Sequence, residues 1–384
     1  MSPATTGIGM GRFLMVGADA IRDGRCTDIY FERVRDVMEQ DGVNPHVTME
    51  VTAAGLPDAW GVFCGLNDVV ELLEGVPVDV DAMPEGAIFS RNEPVLRVSG
   101  RYRDFAVYET AILGFLCHAS GVASAAAHIR LAAQGRPVYS FGSRRQHPAI
   151  AAMIERAAWI GGVDAASNTC APAGIPLAGT MPHAFVMCYP EQEEAWRAFD
   201  RGAGPEVPRI MLADTFYDEK VEAVRAAACG ATAVRLDTPR SRRGNMRAII
   251  EEVRWELDVH GYPDVKIFLS GGLTREDVAA YRDIADAFGV GGAIANAPVI
   301  DFAMDIVEME GRPYAKRGKR SGVKQVYEMP DGRRVTLPLQ APAPEGGTPL
   351  LARCIERGAV VARPNMGDAR ERVLSRLSGL AREG

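Results

Sequence analysis

None of the seven cysteines stands three residues from another, so the chain holds no C-x-x-C pair. Neither a zinc ribbon nor a disulfide framework is suggested, and isolated thiols in odd number read as the reduced side chains of a cytoplasmic protein. A basic excess is equally missing. The formal charge of −7 argues against a general nucleic-acid binder, which carries a basic face. A local cluster of arginines can still reverse the potential inside one cleft. The N-terminus has no basic stretch followed by an apolar one, so no secretory signal is indicated. The most membrane-like run, Thr110 to Ala127, is rich in Ala, Ser and Gly and contains His118; it reads as a buried helix, not a span. The sequence contains no internal repeat, no G-x-S-x-G and no zinc-ligand spacing, and its many carboxylates stand at no diagnostic distance.

What is present is ordinary globular material, 384 residues of which 47% are hydrophobic and 24% charged. That is enough for one large core and a smaller one, and two or three structural units are expected. Up to about residue 125, short strand-like runs (Val62 to Leu66, Ala87 to Ser90, Val95 to Gly100) are punctuated by Gly and Pro. A helical pattern follows from Arg103 to about Gln134. The middle of the chain then alternates. Val138–Phe141, Arg209–Ala213, Thr232–Leu236 and Val265–Leu269 read as strands. Pro148–Trp159, Glu219–Ala228, Met246–Val259 and Arg275–Phe288 read as helices, and Ala293–Ala295 closes the run. Alternation of this kind predicts βαβ units and a parallel sheet, as a barrel or partial barrel. After about Gly311 a basic stretch, Arg312–Lys324, leads into a Pro-rich segment and a last amphipathic helix, Asp368–Leu380.

The residues with chemical potential fall just after the predicted strands, where parallel α/β folds keep their active sites. Ser270-Gly271-Gly272 and Gly289-Val290-Gly291-Gly292 form two glycine turns, one helix apart. They are either tight turns of a protein with 40 glycines or a phosphate cradle of backbone N–H groups. Arg144 and Arg145 follow one strand, Arg235 lies inside another, and Arg240, Arg242 and Arg243 occupy the next loop. An arginine in a strand core is costly unless paired. Arg235 and Asp237 share one face by the strand's period of two, so they form a structural pair or jointly hold a ligand. His183 sits in a loop fixed by Gly179 and Pro182, as a structural residue or a catalyst.

Taken in order, FGSRRQHP, SNTCAPAGIPLAGTMPHAF, VRLDTPRSRRGNM, FLSGGL and FGVGGAIANAPVIDFAMDIVE resemble the shorter, archaeal-like nicotinate phosphoribosyltransferases. TDIYF, MPEGAIFSRNEPVLRVSGRY, YETAILGFL and AKRGKRSGVKQVY extend the resemblance over most of the chain. It implies an irregular (β/α) barrel, the type II phosphoribosyltransferase fold, with an N-terminal α/β sandwich-like domain. The expected divisions are residues 1–125, the barrel 126–310, and a C-terminal segment 311–384 packing on the N-terminal domain.

The implied activity is transfer of phosphoribosyl from phosphoribosyl pyrophosphate to nicotinate, in salvage of pyridine nucleotides for NAD. Mg²⁺ and a ligase-like coupling to ATP hydrolysis are implied with it. By motif position, Tyr30 resembles the aromatic that stacks on the pyridine ring from a neighbouring subunit, and Phe141 its opposite face. That arrangement implies a homodimer or higher homo-oligomer with shared sites, acting on small molecules with no nucleic-acid or membrane partner. Thr180 and Arg235 resemble nicotinate contacts, and Arg144 a contact to the base or the phosphoribosyl group. His183 resembles the histidine phosphorylated by ATP, and Asp237 the acid near the ribose and Mg²⁺. Ser270, Gly271, Gly272, Gly291 and Gly292 would hold the 5′-phosphate, and no side chain is assigned as a direct metal ligand.

Two departures stand out. Gly292 occupies the place of a threonine common in relatives, which removes a hydroxyl donor. The region from about Glu328 to Pro364, which carries zinc-binding cysteines in some relatives, has only Cys354, so no zinc is expected. Transfer to quinolinate or nicotinamide on the same scaffold, and a non-catalytic metabolite-binding protein, are the competing readings.

Overall fold

The computed structural model describes residues 13–238, 241 and 244–383. The chain divides into two compact units, Met1–Ser124 with Pro298–Arg376, and Ala125–Ala297 with Leu377–Gly384.

The first unit is built on a seven-stranded sheet whose pairings are all antiparallel. Its central strands are Phe302–Met309, His46–Ala53, Pro94–Arg101 and Val78–Ala82. Along His46–Ala53 the apolar residues Val47, Met49, Val51 and Ala53 alternate onto one face. There they join Val80, Val98, Phe302 and the helix Leu66–Leu73 in one core. The intervening Thr48 and Glu50 are also buried. Glu50 is satisfied by the backbone N–H and the Nζ of Lys324, on a strand of a separate three-stranded sheet. The predicted strand at Val62–Leu66 is shorter than expected: Gly61–Val62 is extended, and Leu66 already opens the helix. Gly65 makes that switch at φ 97°, a conformation that needs glycine, with the Phe115 carbonyl too close for a Cβ.

The helix Glu109–Ala132 contains the apolar run. The helical stretch around it is long and apolar enough to cross a membrane by length and composition, yet 67% of its most apolar window is buried in the fold.

The second unit alternates as the sequence predicts. Its elements are β1 Val138–Ser140, α1 Ala151–Ile160, β2 Ala165–Ala166, α2 His183–Met187, α3 Gln192–Gly202, β3 Ile210–Leu212, α4 Glu219–Ala228, β4 Ala233–Leu236, α5 Met246–Val259, β5 Lys266–Leu269, α6 Arg275–Tyr281, β6 Ala287–Val290 and α7 Gly292–Ala295. The six strands pair in the order β2-β1-β6-β5-β4-β3, all parallel. The two edge strands do not pair with each other, so the sheet is a curled half-barrel.

Two predicted elements change here. The helix expected over Arg275–Phe288 ends at Tyr281, although its start is fixed by a capping box of Thr274 and Asp277. Ile284, Ala285 and Phe288 keep helical spacing, but Asp286 turns the chain into the sheet. Its backbone N–H donates to the Ile267 carbonyl, and its carboxylate accepts the Ile267 N–H at 2.9 Å. The segment Ala293–Ala295, read as closing the run of strands, lies in the short helix α7.

Candidate active site

A cleft of about 620 Å³ opens at the C-terminal ends of β1 and β4–β6. Phe141, Arg144, Thr180, His183, Arg235, Asp237, Ser270, Gly271, Gly272, Gly291 and Gly292 all line it. Of the site residues proposed from the sequence, only Tyr30 does not. It lies in the first unit on the helix Ile29–Gln40, 54% exposed, with its hydroxyl 3.3 Å from Asp28 Oδ2. Arg240, Arg242 and Arg243 lie outside the described residues.

Glycines bring the backbone together at one side of the cleft. The Phe141 N–H donates to the Val290 carbonyl, carrying the β1–β6 pairing one residue past the strand. A Cβ on Gly289 would come within 2.5 Å of the Phe141 ring, and one on Gly142 within 2.3 Å of the Gly291 carbonyl oxygen. Side chains at those positions would push Phe141 and the Arg144 turn out of place. Gly271, at φ 90°, passes within 2.8 Å of the Asp237 carbonyl by the same measure. At Gly292 a Cβ would lie 3.3 Å from Asn296 Nδ2. Gln146 orients that amide by donating to Asn296 Oδ1 at 2.9 Å, so an N–H donor stands beside the missing threonine hydroxyl.

The opposite side is ionic. Arg235, in β4, is only 9% exposed. Its Nη2 donates to the Met181 carbonyl at 3.0 Å, and its Nε has no partner. Asp237 instead accepts the Ser270 hydroxyl at 2.9 Å. The two residues therefore do not hydrogen-bond to each other, and Arg235 has hydrogen-bonding capacity to spare. Burial lowers its affinity for its proton, while the charges of Asp237 and Asp214 oppose that effect.

His183 opens α2, with Pro182 at the N-cap. Its Nδ1 is 3.2 Å from the Thr215 hydroxyl. Its Nε2 faces Asp214 Oδ1 at 3.7 Å and Asp237 Oδ2 at 3.9 Å. Burial holds the imidazole below its ordinary range, against the pull of Asp237, and so favours the neutral ring. The Thr180 hydroxyl donates to the Met181 carbonyl at 3.4 Å.

Asp214 was not singled out from the sequence. It follows β3 and is almost wholly buried. Its Oδ2 accepts the Asp237 backbone N–H at 2.6 Å and lies 3.2 Å from the Thr238 hydroxyl, while Oδ1 has no hydrogen-bond partner. Burial, reinforced by the neighbouring Asp237 charge, pushes its carboxyl up to about 7. The signal was legible: Leu212-Ala213-Asp214-Thr215 and Arg235-Leu236-Asp237-Thr238 place the same Asp-Thr pair after neighbouring strands that run in register, Leu212 beside Arg235. Glu222 in α4, also buried, holds the first of these loops by accepting the N–H groups of Thr215, Phe216 and Tyr217 at 2.6–2.8 Å.

Known proteins resemble the chain over both units. Residues 28–120 match the quinolinate phosphoribosyl transferase N-terminal domain, and residues 122–305 the corresponding C-terminal domain. A nicotinate phosphoribosyltransferase of Mycobacterium tuberculosis is 31% identical over 339 residues, covering 80% of this chain and 73% of that protein. The enzyme of that name from Bacillus subtilis is 26% identical, covering 74% and 66%. Among solved structures, nicotinate-nucleotide pyrophosphorylase from Pyrococcus furiosus superposes with a TM-score of 0.94 at 51% identity, over 96% of this chain and 98% of that one. Human nicotinic acid phosphoribosyltransferase shares the fold, with a TM-score of 0.70 at 20% identity over 92% and 93%. The chain belongs to the nicotinate phosphoribosyltransferase family.

Proposed function

We propose that the cleft joins nicotinate, through its ring nitrogen, to the ribose of phosphoribosyl pyrophosphate, giving nicotinate mononucleotide and pyrophosphate. The observation that carries this reading is Arg235, buried in a strand at the cleft with an Nε that no group among the described residues satisfies. A carboxylate can take both edges of a guanidinium, and the charge-assisted pair is strong where water is excluded.

The other roles follow from position. Phe141, which lines the cleft close against Gly289, is proposed as one wall for a pyridine ring. Tyr30 of a neighbouring copy is proposed as the other wall, which makes the active species a homo-oligomer. The turns at Ser270–Gly272 and Gly291–Gly292 receive the 5′-phosphate on backbone N–H groups, with the Asn296 amide beside them. The nucleophile is the substrate's own nitrogen, so the protein's task is alignment and charge stabilisation as pyrophosphate leaves. Asp237 is placed to stabilise the positive charge that develops on the ribose.

Mg²⁺ fits the acidic side. Magnesium is held by one or two carboxylates plus substrate phosphates, and Asp214 Oδ1 is a buried carboxylate oxygen with no hydrogen-bond partner among the described residues. Among the described residues no group of three or more His, Cys, Asp or Glu is gathered as for a metal, so Asp214 and Asp237 would hold the ion jointly with substrate. When bound, it would neutralise charge on the departing pyrophosphate. ATP is proposed as a coupled substrate that phosphorylates His183, whose neutral ring is a competent acceptor. The C-terminal segment is proposed to need no zinc, since Cys354 is buried and its Sγ donates to the Val80 carbonyl at 3.4 Å. A cytoplasmic location is part of the same proposal.

The matched quinolinate phosphoribosyl transferase domains favour one alternative, a pyridine dicarboxylate acceptor. A second carboxylate would call on a second cation, and Arg144 and Arg145 also line the cleft. Turnover with nicotinate, nicotinamide and quinolinate in the presence of Mg²⁺ and phosphoribosyl pyrophosphate separates these readings. Mononucleotide from nicotinate is expected. Product from quinolinate with release of CO₂, and none from nicotinate, would overturn the proposal.

A further inference from the structure

Beneath the Arg144 turn, α1 carries an acid that none of the roles above uses. Glu155 has no exposed surface, and neither of its carboxyl oxygens has a partner at hydrogen-bond geometry; the same is true of the Ser140 hydroxyl at the end of β1. Ser143 is buried as well, and its Oγ accepts Asn168 Nδ2 at 3.0 Å, which leaves its own hydroxyl hydrogen to donate. Burial pushes the Glu155 carboxyl above the ordinary carboxylate range and outweighs the opposing influence of these two hydroxyls.

Among the described residues of the elements packed on α1, no charge answers it. The elements packed on α1 include the turns 143–145 and 148–150, β2 and α7. Their charged side chains are Arg144 and Arg145 alone, and both line the cleft on the far side of the turn. His147, between the turns, accepts the Ala149 N–H on Nδ1. Asp164, before β2, is taken by Arg130 and the Val138 N–H. A buried carboxylate with neither cation nor N–H donor is strongly disfavoured, whereas the undissociated acid can both donate and accept.

We propose that Glu155 is a positioning residue for substrate, bridging Ser140 and Ser143 in its protonated form and so fixing the Phe141–Arg144 turn between them. The carboxylic O–H donates to Ser140 Oγ, and the Ser143 hydroxyl donates to the carbonyl oxygen. The two serines flank Phe141 and Gly142 in sequence, so holding both hydroxyls holds the backbone that presents the ring wall and the Arg144 guanidinium. The proposal rests on reading the cleft as the phosphoribosyl-transfer site.

Glu155→Gln and Glu155→Ala test it against the unaltered enzyme. The amide of Glu155→Gln keeps the shape and stays neutral at every pH. Its kcat/KM at neutral pH should remain within about threefold, and the alkaline limb of its pH profile should move to higher pH. Glu155→Ala, with an unchanged far-ultraviolet circular dichroism spectrum, should lose about tenfold or more in kcat/KM, chiefly by raising KM. If Glu155→Ala does not fold, Ser140→Ala carries the KM test, with a severalfold rise expected. A readout free of substrate is the infrared difference between wild type and Glu155→Gln at neutral pH, which should contain the band of one undissociated carboxylic acid. That measurement stands whether or not the cleft's substrates are as proposed. Absence of the band, superimposable pH profiles, or a wild-type KM in the folded alanine variant would each overturn the proposal.

Discussion

Buried charges are treated in opposite ways by the two units. In the first unit several of them close on one another. Arg97, 6% exposed, donates through Nε and Nη2 to Asp81 Oδ2 at 3.1 and 2.9 Å and through Nη1 to the Lys324 carbonyl, while Arg353 takes the other Asp81 oxygen at 2.7 Å. Arg334 grips Glu93 at 2.9–3.0 Å, and Lys324 grips Glu50 at 2.9 Å. At the cleft of the second unit Arg235 Nε, and beside it Asp214 Oδ1, have no hydrogen-bond partner among the described residues, and Asp214 Oδ1 has only the His183 imidazole at 3.7 Å. A group buried at such cost beside the cleft is where the proposed ligand would complete the structure. Groups already satisfied mark where the fold is held.

The largest expected effect follows from the open cation. Arg235→Ala should lower kcat/KM for nicotinate about a hundredfold, ~2.7 kcal/mol, with an unfolding midpoint equal to or above that of wild type. Arg235→Lys should recover little, because an ammonium lacks the planar fork. Steady-state kinetics beside thermal unfolding checks both halves of the statement.

The mirror experiment acts on a closed pair. Asp81→Asn leaves Arg97 and Arg353 facing an uncharged amide, and breaking a buried pair costs about 3–5 kcal/mol of stability. Denaturant unfolding should register that loss, while kcat/KM per folded molecule stays within about twofold. Equal damage to activity would erase the distinction between the units.

Asp214→Asn should separate the two properties in one residue. It removes a buried, partly unsatisfied acid, so stability should rise by about 1–2 kcal/mol. Turnover should fall by at least about tenfold, with a higher Mg²⁺ requirement in kinetic titrations.

Much of this contrast was legible in the sequence. The alternation from Val138 onward gave the parallel sheet, and the short residues after its strands gave most of the cleft. Arg235 and Asp237 could be placed on one face by period, but whether they pair depends on the reach of the Met181 carbonyl and the Ser270 hydroxyl, which period does not encode. Asp214 was hidden by its neutral surroundings in sequence, although its Asp-Thr echo of Asp237 was available. Glu155 looked like an ordinary residue of an amphipathic helix, because its burial depends on the elements packed on α1, among them α7 far along the chain. The strand at Ala287–Val290 was missed because local helical spacing agreed with the wrong answer, and pairing across the sheet won.

Glu109 is the first unit's own departure from closure, and the effect expected there is the smallest. Burial, with the Asp305 charge adding and Lys316 opposing, pushes its carboxyl up to about 7 from 4.5. The folded state therefore holds the proton more tightly than the unfolded chain. The stabilisation from that proton is complete below pH 4.5 and is lost as pH rises through about 7. Glu109→Gln should flatten this fall in unfolding free energy, by about 1–2 kcal/mol across the window. Parallel slopes in denaturant titrations at several pH values would count against it.

The central claim, that an unpaired cation in the cleft reads the substrate's carboxylate, is tested most directly by the ratio of kcat/KM for nicotinate over nicotinamide. The two acceptors differ in the one group that a guanidinium can take bidentately. Wild type should favour nicotinate strongly, and Arg235→Ala should collapse the ratio by about tenfold or more. A ratio within about twofold of wild type, roughly 0.4 kcal/mol, would mean that the carboxylate is read elsewhere, with Arg144 the first residue to examine.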